Sequence, residues 1–368
     1  MALVERVFAH RLALSRPMVA QFRRAFPLAQ FSTISYEREI RESVRAPNRR
    51  AVYIGPRSSP FISRFHPPRG MMCSPFWKFT SETFCPMGCH YCYLSLTFRI
   101  MPYLRIASNV QDGIVEMQRV LNSAAELGHR VMFNIGELAD GRILDPITQL
   151  SRQVLPVLER NPNGMLHVLS KAGTDTLANY LELSHLARRR VIHVASINPQ
   201  KVIGLTEEGT PPVTDRLKAL GELQRAGYRV RLRIDPIFDL RSFGETENEA
   251  FGVYDELVDE IAAWCRPEMV TLGSYRPSPQ LIPHIRRRYP NSLVLQAETR
   301  KMGPKRRIPR RHVFYRRIAA RLRVTFPEVR VALCKETRKA WEKSGLHLGV
   351  LECSCLPLVS ERDYAKAE

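Results

Sequence analysis

The chain has 368 residues, 44% hydrophobic and 25% charged, which is the make-up of an ordinary globular protein long enough for a sizeable core. No apolar run approaches the ~20 residues that cross a bilayer, which argues against a membrane-spanning protein. The net charge of +20 calls for a polyanionic partner, most simply nucleic acid, with an anionic membrane surface as the weaker alternative.

Residues 1–36 carry five arginines, no lysine and one acid, Glu5, superficially like a targeting segment. The pattern inside predicts instead a strand over 3–8 and an amphipathic helix opened by Arg16-Pro17 and ending near Phe26-Pro27. Residues 45–70 are rich in proline and arginine and read as a basic linker or arm with one strand-like run at 51–55. From Phe76 short strands alternate with amphipathic helices. Strands are expected at 78–84, 131–136, 165–170, 191–197, 230–234 and 269–273, with helices at 111–127, 147–160, 176–188, 214–225 and 249–264. Six strands in βα units predict an α/β fold, a partial (β/α)6 barrel with chemistry at the C-terminal strand ends.

After Tyr275 the alternation stops. Residues 276–323 hold one acid, Glu298, against a long basic run that includes Lys305, Arg306, Arg307, Arg310 and Arg311. Turn residues break this run, and His312, Phe314 and Tyr315 follow. Basic and aromatic side chains on a hairpin suit phosphate contacts with stacking against bases, although a solvated face is the plainer alternative. A strand over 329–333, a helix from Lys335 and the cluster Cys353-Ser354-Cys355 close the chain. The expected organisation is a small N-terminal α/β element with its linker over 1–70, the barrel over 71–280, and a basic hairpin/helix extension over 281–368.

Three of the eight cysteines, Cys85, Cys89 and Cys92, are spaced C-x3-C-x2-C on a Pro-Met-Gly loop behind the first barrel strand. Three thiolates can hold three irons of a 4Fe–4S cluster and leave the fourth open, whereas structural zinc normally closes four ligands. His90, wedged between two of the cysteines, cannot easily share their metal. The clustering of the cysteines also speaks for a reducing, cytoplasmic compartment rather than a disulfide framework. This loop resembles that of the radical-SAM enzymes, in which the open iron chelates S-adenosylmethionine and a 5′-deoxyadenosyl radical is released. In such barrels a Gly-Glu at the second strand end commonly holds the methionine ammonium, which would assign that role to Gly136 and Glu137. Lys171, Ser196, Asn198 and Asp235 also end strands and face the same mouth; Asp140 and Asp145 read better as capping acids.

The chain further resembles the spore photoproduct lyases, radical-SAM enzymes that reverse a thymine-dimer lesion in DNA. Cys85-x3-Cys89-His90-Tyr91-Cys92-Tyr93-Leu94, Asn109, Lys171, Ser196-Ile197-Asn198 and Arg287-Arg288-Tyr289-Pro290 are similar to family positions, and 299–315 resembles the hairpin pushed into a lesion-bearing duplex. The resemblance implies cofactor roles for Lys171 and Ser196, and radical-relay or substrate-contact roles for Tyr91 and Tyr93. It also implies a low-potential electron donor such as flavodoxin or ferredoxin, a monomer, and no membrane. Two departures stand out. Glu137 occupies the place of the family's hydrogen-returning cysteine, and no cysteine lies between Cys92 and Cys265. Cys334, Cys353 and Cys355 form a set that the lyases lack, suited to a second Fe–S cluster or a zinc with Cys73 or a histidine, or else merely small core residues. Cys265 reads as core. Two other functions stay open: a nucleic-acid-binding protein with a structural or redox-sensing cluster, and a radical-SAM enzyme acting on some other substrate.

Overall fold

A computed structural model describes residues 4–44, 48–302, 305–346 and 353–357. The chain begins with β1 (Arg6–His10), β2 (Gln30–Ile34) and β3 (Ala51–Gly55), followed by β4 (Ile62–Phe65) and β5 (Phe76–Phe79). Next come three short pieces around the cysteine loop: β6 (Glu82–Thr83), β7 (Gly88–Cys89) and β8 (Leu104–Ala107). Then the alternation sets in, with β9 (Val131–Ile135), β10 (Gly164–Ser170), β11 (Val191–Ile197), β12 (Glu207–Glu208), β13 (Arg229–Ile237) and β14 (Met269–Ser274). A hairpin of β15 (Arg300–Met302) and β16 (Lys305–Arg307) precedes β17 (Arg330–Leu333).

Two sheets organise these strands. The larger runs β17-β14-β13-β11-β10-β9-β5-β4, parallel throughout except for antiparallel β4. It is an open, partial barrel of βα units, as the strand pattern requires. Its parallel part holds seven strands and not six, because β17, expected in a separate extension, pairs residue for residue with β14. The smaller sheet runs β2-β1-β3-β8-β6. Within 45–70, the described residues 48–70 depart most from a linker: all five residues of β3 are buried, and β4 edges the barrel. The single strand expected at 78–84 is two. The chain leaves the barrel after Phe79 and joins the other sheet at Glu82, with Phe84 turned into the left-handed region at φ 72.

Other differences are local. The helix expected at 147–160 breaks at Gln149, which is left-handed at φ 51, and the helix Leu150–Arg160 restarts beyond it. The stretch 176–188 divides into short turns, the last capped by Ser184, whose Oγ accepts from the Ala187 amide. Thr246 and Glu249 form a full capping box that fixes the start of the helix Glu247–Trp264. Lys335 does not begin a helix; it takes φ 51, and the helix Arg338–Lys343 starts after the Thr337 cap.

Alternation along the strands splits the core into layers. Phe133, Ile135, Leu166, Val168, Leu232 and Ile234 face outward under the helices, while Met132, Met165, Ile192 and Val194 point inward. The barrel interior also takes Asn134, His167, Arg231 and Arg233, and these receive the 353–357 segment. Asn134 Nδ2 donates to the Cys355 carbonyl at 3.1 Å, and Arg231 Nη1 donates to the Ser354 and Leu356 carbonyls, both at 2.9 Å. His167 Nε2 lies 3.2 Å from Ser354 Oγ. The inside of the barrel is thus partly filled by its own C-terminal segment. At the open side an isolated antiparallel bridge, Met72 to Glu336, joins the stretch after β4 to the stretch after β17.

Candidate active site

The cysteine loop is built before any ligand is considered. Arg49, from the smaller sheet's side, donates to the Cys85 and Met87 carbonyls and lies 5.3 Å from the Phe84 ring centroid, fixing the entry to the loop. Downstream, β7 pairs antiparallel with β12, Cys89 opposite Glu207 and Gly88 opposite Glu208. Burial raises all three thiols, Cys89 to about 12 with help from the nearby Glu207 charge. The loop is therefore held in shape by protein contacts. His90 points elsewhere: its ring nitrogens lie 2.8 Å from Ser292 Oγ and 2.9 Å from Glu208 Oε1, and the ring stacks on Tyr289 at 4.1 Å. It is a clasp, and the loop offers three sulfurs and no fourth ligand of its own.

Above the loop opens a cavity of ≈ 270 Å³, lined by Cys85, Cys89 and Cys92 and by the strand ends that follow. Gly136 belongs to this wall. It sits at φ +94, and a Cβ there would lie 2.3 Å from the Leu169 carbonyl, so no other residue fits without moving the backbone. Glu137 next to it reaches Lys335 Nζ at 3.4 Å. Asp140 is spoken for: it accepts from Ser170 Oγ at 2.6 Å and from the Lys171, Arg142 and Ile143 amides, so it shapes the turn as the capping reading holds.

The third and fourth strand ends meet in one network. Lys171 Nζ donates to Ser196 Oγ at 2.6 Å and stands 3.6 Å from Glu207 Oε1. Glu207 also accepts from Asn198 Nδ2 at 3.1 Å, from Arg216 Nη2 at 2.7 Å and from the Tyr91 hydroxyl. Burial alone would raise its carboxyl, but Lys171, Arg216 and the two side-chain donors outweigh burial and hold it at about 2. Glu207 and Arg216 were not legible as site residues. One sits in a two-residue strand and the other inside the helix Val213–Arg225, outside the strand-end pattern. Asp235 reaches the mouth as expected but is engaged by Arg276 through two bonds of 2.9 and 2.7 Å, which overcome burial and keep its carboxyl below the usual range.

Tyr91 and Tyr93 part company. Tyr91 packs, half-buried, against Phe238 with its hydroxyl committed to Glu207. Tyr93 is 44% exposed, lines the cavity, and its hydroxyl donates to the Glu137 carbonyl. Asn109 stays away from the mouth. Its side chain clamps Arg57, accepting from that amide at 2.8 Å and donating to the carbonyl at 3.1 Å.

The basic segment is where the structure corrects the sequence. Arg307 and Arg311, expected on phosphates, are buried around Glu336, which is 0% exposed. Arg307 Nη1 and Arg311 Nε donate to Glu336 Oε1 at 2.9 and 2.8 Å, and the Tyr315 hydroxyl reaches the same oxygen at 3.0 Å. Phe314 and Tyr315 are core residues and cannot stack on a base. Arg310 pairs with Glu247 at 3.1 Å, and Arg317 and Arg321 pair with Asp255 and Asp259 of the same long helix. Arg306 folds back on Thr299, Arg300 and Lys301 are exposed, and the Lys305 side chain lies outside the described residues. Cys265 is core, as read.

A family profile described as "Spore photoproduct lyase" matches residues 76–338. Among curated proteins, the spore photoproduct lyase of Geobacillus sp. (strain Y412MC61) is 26% identical over 179 residues, 49% of this chain and 50% of that one. That of Bacillus subtilis (strain 168) is 27% identical over 156 residues, 42% of this chain and 44% of that one. The matched stretch thus spans about half the length of these relatives. A solved spore photoproduct lyase double mutant with bound AdoMet and dinucleoside spore photoproduct aligns with 90% of this chain and 98% of its own, at TM-score 0.73 and 19% identity. The enzyme complexed with dinucleoside spore photoproduct gives 90% and 99%, TM-score 0.73 and 18% identity. The structural likeness is one of fold. No helix among the described residues is long and apolar enough to cross a membrane.

Proposed function

The chain belongs to the spore photoproduct lyase family, and from that membership we propose that it is a radical-SAM enzyme acting on a thymine lesion of the spore-photoproduct type in DNA. The observation that carries this reading is the convergence of Cys85, Cys89 and Cys92 with Gly136, Glu137, Lys171 and Ser196 on the one cavity. A nucleic-acid-binding protein with a merely structural cluster needs no such cavity.

The residues fit the expected groups. Three thiols with His90 turned away suit a 4Fe–4S cluster with one iron open to a second molecule. Lys171 and Ser196 present donors for a carboxylate or ribose, and Glu137 is the carboxylate on the wall for an ammonium. Asn198 faces Glu207, so it orients the network and leaves direct contact to Lys171 and Ser196. When bound, cluster and S-adenosylmethionine would supply one-electron cleavage of the sulfonium and a strong hydrogen-atom acceptor, given electrons from a low-potential donor of the flavodoxin or ferredoxin class.

The rest falls to the chain itself. Buried Glu207, ionised and fixed by Arg216, keeps the Lys171 ammonium at the mouth and the Tyr91 ring against the wall. Tyr93 presents the nearest O–H to the wall position where Glu137 replaces a thiol, and is the hydrogen donor in this reading. Tyr91 is a positioning residue. Anaerobic reconstitution followed by dithionite, S-adenosylmethionine and dinucleoside spore photoproduct tests the assignment. Formation of 5′-deoxyadenosine with release of paired thymine monomers is expected. Formation of 5′-deoxyadenosine without lesion turnover would move the activity to another substrate, and absence of both would leave a binding protein. Glu137→Gln and Lys171→Met should each weaken S-adenosylmethionine binding while leaving the iron content of the protein intact. Unchanged affinity in both would place the pocket elsewhere.

A further inference from the structure

Four cysteines outside the loop come together from three distant parts of the chain. Cys334 ends β17, and its amide bonds to the Leu272 carbonyl at 2.8 Å. Cys73 is brought beside it by the bridge between Met72 and Glu336, where the Met72 amide donates to the Glu336 carbonyl at 2.7 Å. Cys353 and Cys355 arrive with the segment inside the barrel, where the Leu356 amide bonds to the Cys353 carbonyl at 3.0 Å. The Cys353 and Cys355 side chains contact one another, and Cys73 and Cys334 lie close enough to interact with them electrostatically.

The surroundings are cationic. Arg233, only 9% exposed, donates from Nη2 to Cys355 Sγ at 3.0 Å, and its Nε has no partner. A guanidinium is always charged, and burying one whose acceptor is a neutral thiol is costly. Arg276 Nη2 lies 3.5 Å from Cys334 Sγ, and Lys335 follows in sequence. Arg276 and Lys335 are already paired, with Asp235 and Glu137, so Arg233 is the cation whose acceptor a negative sulfur would be. All four thiols protonated would leave Arg233 with a weak neutral acceptor; deprotonated and metal-bound, they match it.

We propose that Cys73, Cys334, Cys353 and Cys355 hold a second iron–sulfur cluster, closed by four thiolates; Cys334 lines the same cavity as the first three cysteines. A single zinc at 2.3 Å from each sulfur would draw all four to within about 3.8 Å of one another. Among the described residues no three Cys, His, Asp or Glu side chains converge that tightly, and the Cys85, Cys89, Cys92 triad does not either. A polynuclear cluster, in which each sulfur binds a different iron, does not ask the four thiols to meet at one point. Each thiol releases its proton to solvent as its sulfur binds iron, and the Arg233 and Arg276 donors then remain on the coordinated sulfurs.

The test needs no turnover and does not depend on the substrate. The full chain is reconstituted anaerobically with iron and sulfide, and iron, zinc and acid-labile sulfide are counted per chain, with EPR of the reduced protein with and without S-adenosylmethionine. A triple variant, Cys85→Ala, Cys89→Ala and Cys92→Ala, leaves the second site intact. It should still bind about two to four irons and give a signal that S-adenosylmethionine does not alter, because no coordination position is open. A quadruple variant, with Cys73, Cys334, Cys353 and Cys355 each replaced by Ser, should lose that iron and keep the responsive signal. Iron-free protein from the triple variant, or zinc in place of iron there, overturns the proposal even if the quadruple variant fails to fold.

Discussion

The barrel mouth and the basic segment over 299–323 both announced themselves by charge or chemistry in the sequence, yet the fold treats them in opposite ways. At the mouth the polar residues are brought together and their reactive atoms left facing a cavity. In the basic segment acids from elsewhere arrive to meet the arginines: Glu336 takes Arg307 and Arg311, and Glu247, Asp255 and Asp259 take Arg310, Arg317 and Arg321. A run without acids in sequence is therefore not a run without acids in space. Spacing is local and survives folding, whereas net charge is a sum that distant residues can cancel.

The largest effect should come from the mouth. Replacing any one of Cys85, Cys89 or Cys92 with Ala should remove the cluster absorption attributable to that loop, at roughly 400 nm, and abolish turnover. Activity retained in any of the three would end the distinction between a working loop and a supporting segment. Next in size are the buried ion pairs. Glu336→Gln should destabilise by about 3–5 kcal/mol, since it leaves Arg307 and Arg311 buried beside a neutral group. Urea unfolding measures this, and a loss below about 1 kcal/mol would return those arginines to the surface.

Glu207 links the two regions in kind, being a buried acid that supports function. Its folded pKa is depressed, so its contribution to stability is full above the ordinary carboxylate value and disappears as pH falls toward about 2. The span corresponds to on the order of 3 kcal/mol. Wild type should lose stability more steeply than Glu207→Gln between pH 5 and about 2 in denaturant titrations; parallel curves would contradict the assignment. The smallest effect concerns DNA. Neutralising Arg300, Lys301, Arg306 and Arg310 together should flatten the log–log salt dependence of duplex binding by about two to three units, with a slope of about −0.9 per phosphate. Adding Arg307→Ala should change stability and not slope. A slope that responds to Arg307 and ignores the other four would reverse the comparison.

What could be read in advance follows the same division. The strand ends carrying Gly136, Lys171 and Ser196 were legible because a parallel strand's period and length are written in consecutive residues. Glu207 was not, since it gains its role by pairing across to Cys89 over a connection no local pattern reveals. The strand at 329–333 was read as a strand, but its place in the barrel was hidden by the basic hairpin that separates it from β14. Phe314 and Tyr315 looked like stacking residues because aromatics beside arginines have that use, but their helix Arg311–Thr325 turns them onto Phe251, Tyr254 and Glu336. The meeting of Cys73 with Cys334, Cys353 and Cys355 was legible only as an option, because it depends on where both edges of the sheet end.

The two sheets are interleaved along the chain, and this matters while the protein is still being made. As the chain emerges from the ribosome, β6 and β8 complete the smaller sheet around the cysteine loop soon after the loop itself appears. The clasp on the other side, β12, is translated only after β9, β10 and β11, and the edge strand β17 later still. Between these events the loop has its β6 and β8 neighbours in the chain but not yet its β12 partner. The order of synthesis thus sets the loop's two supports apart in time, the smaller sheet first and the β12 clasp after three more barrel strands.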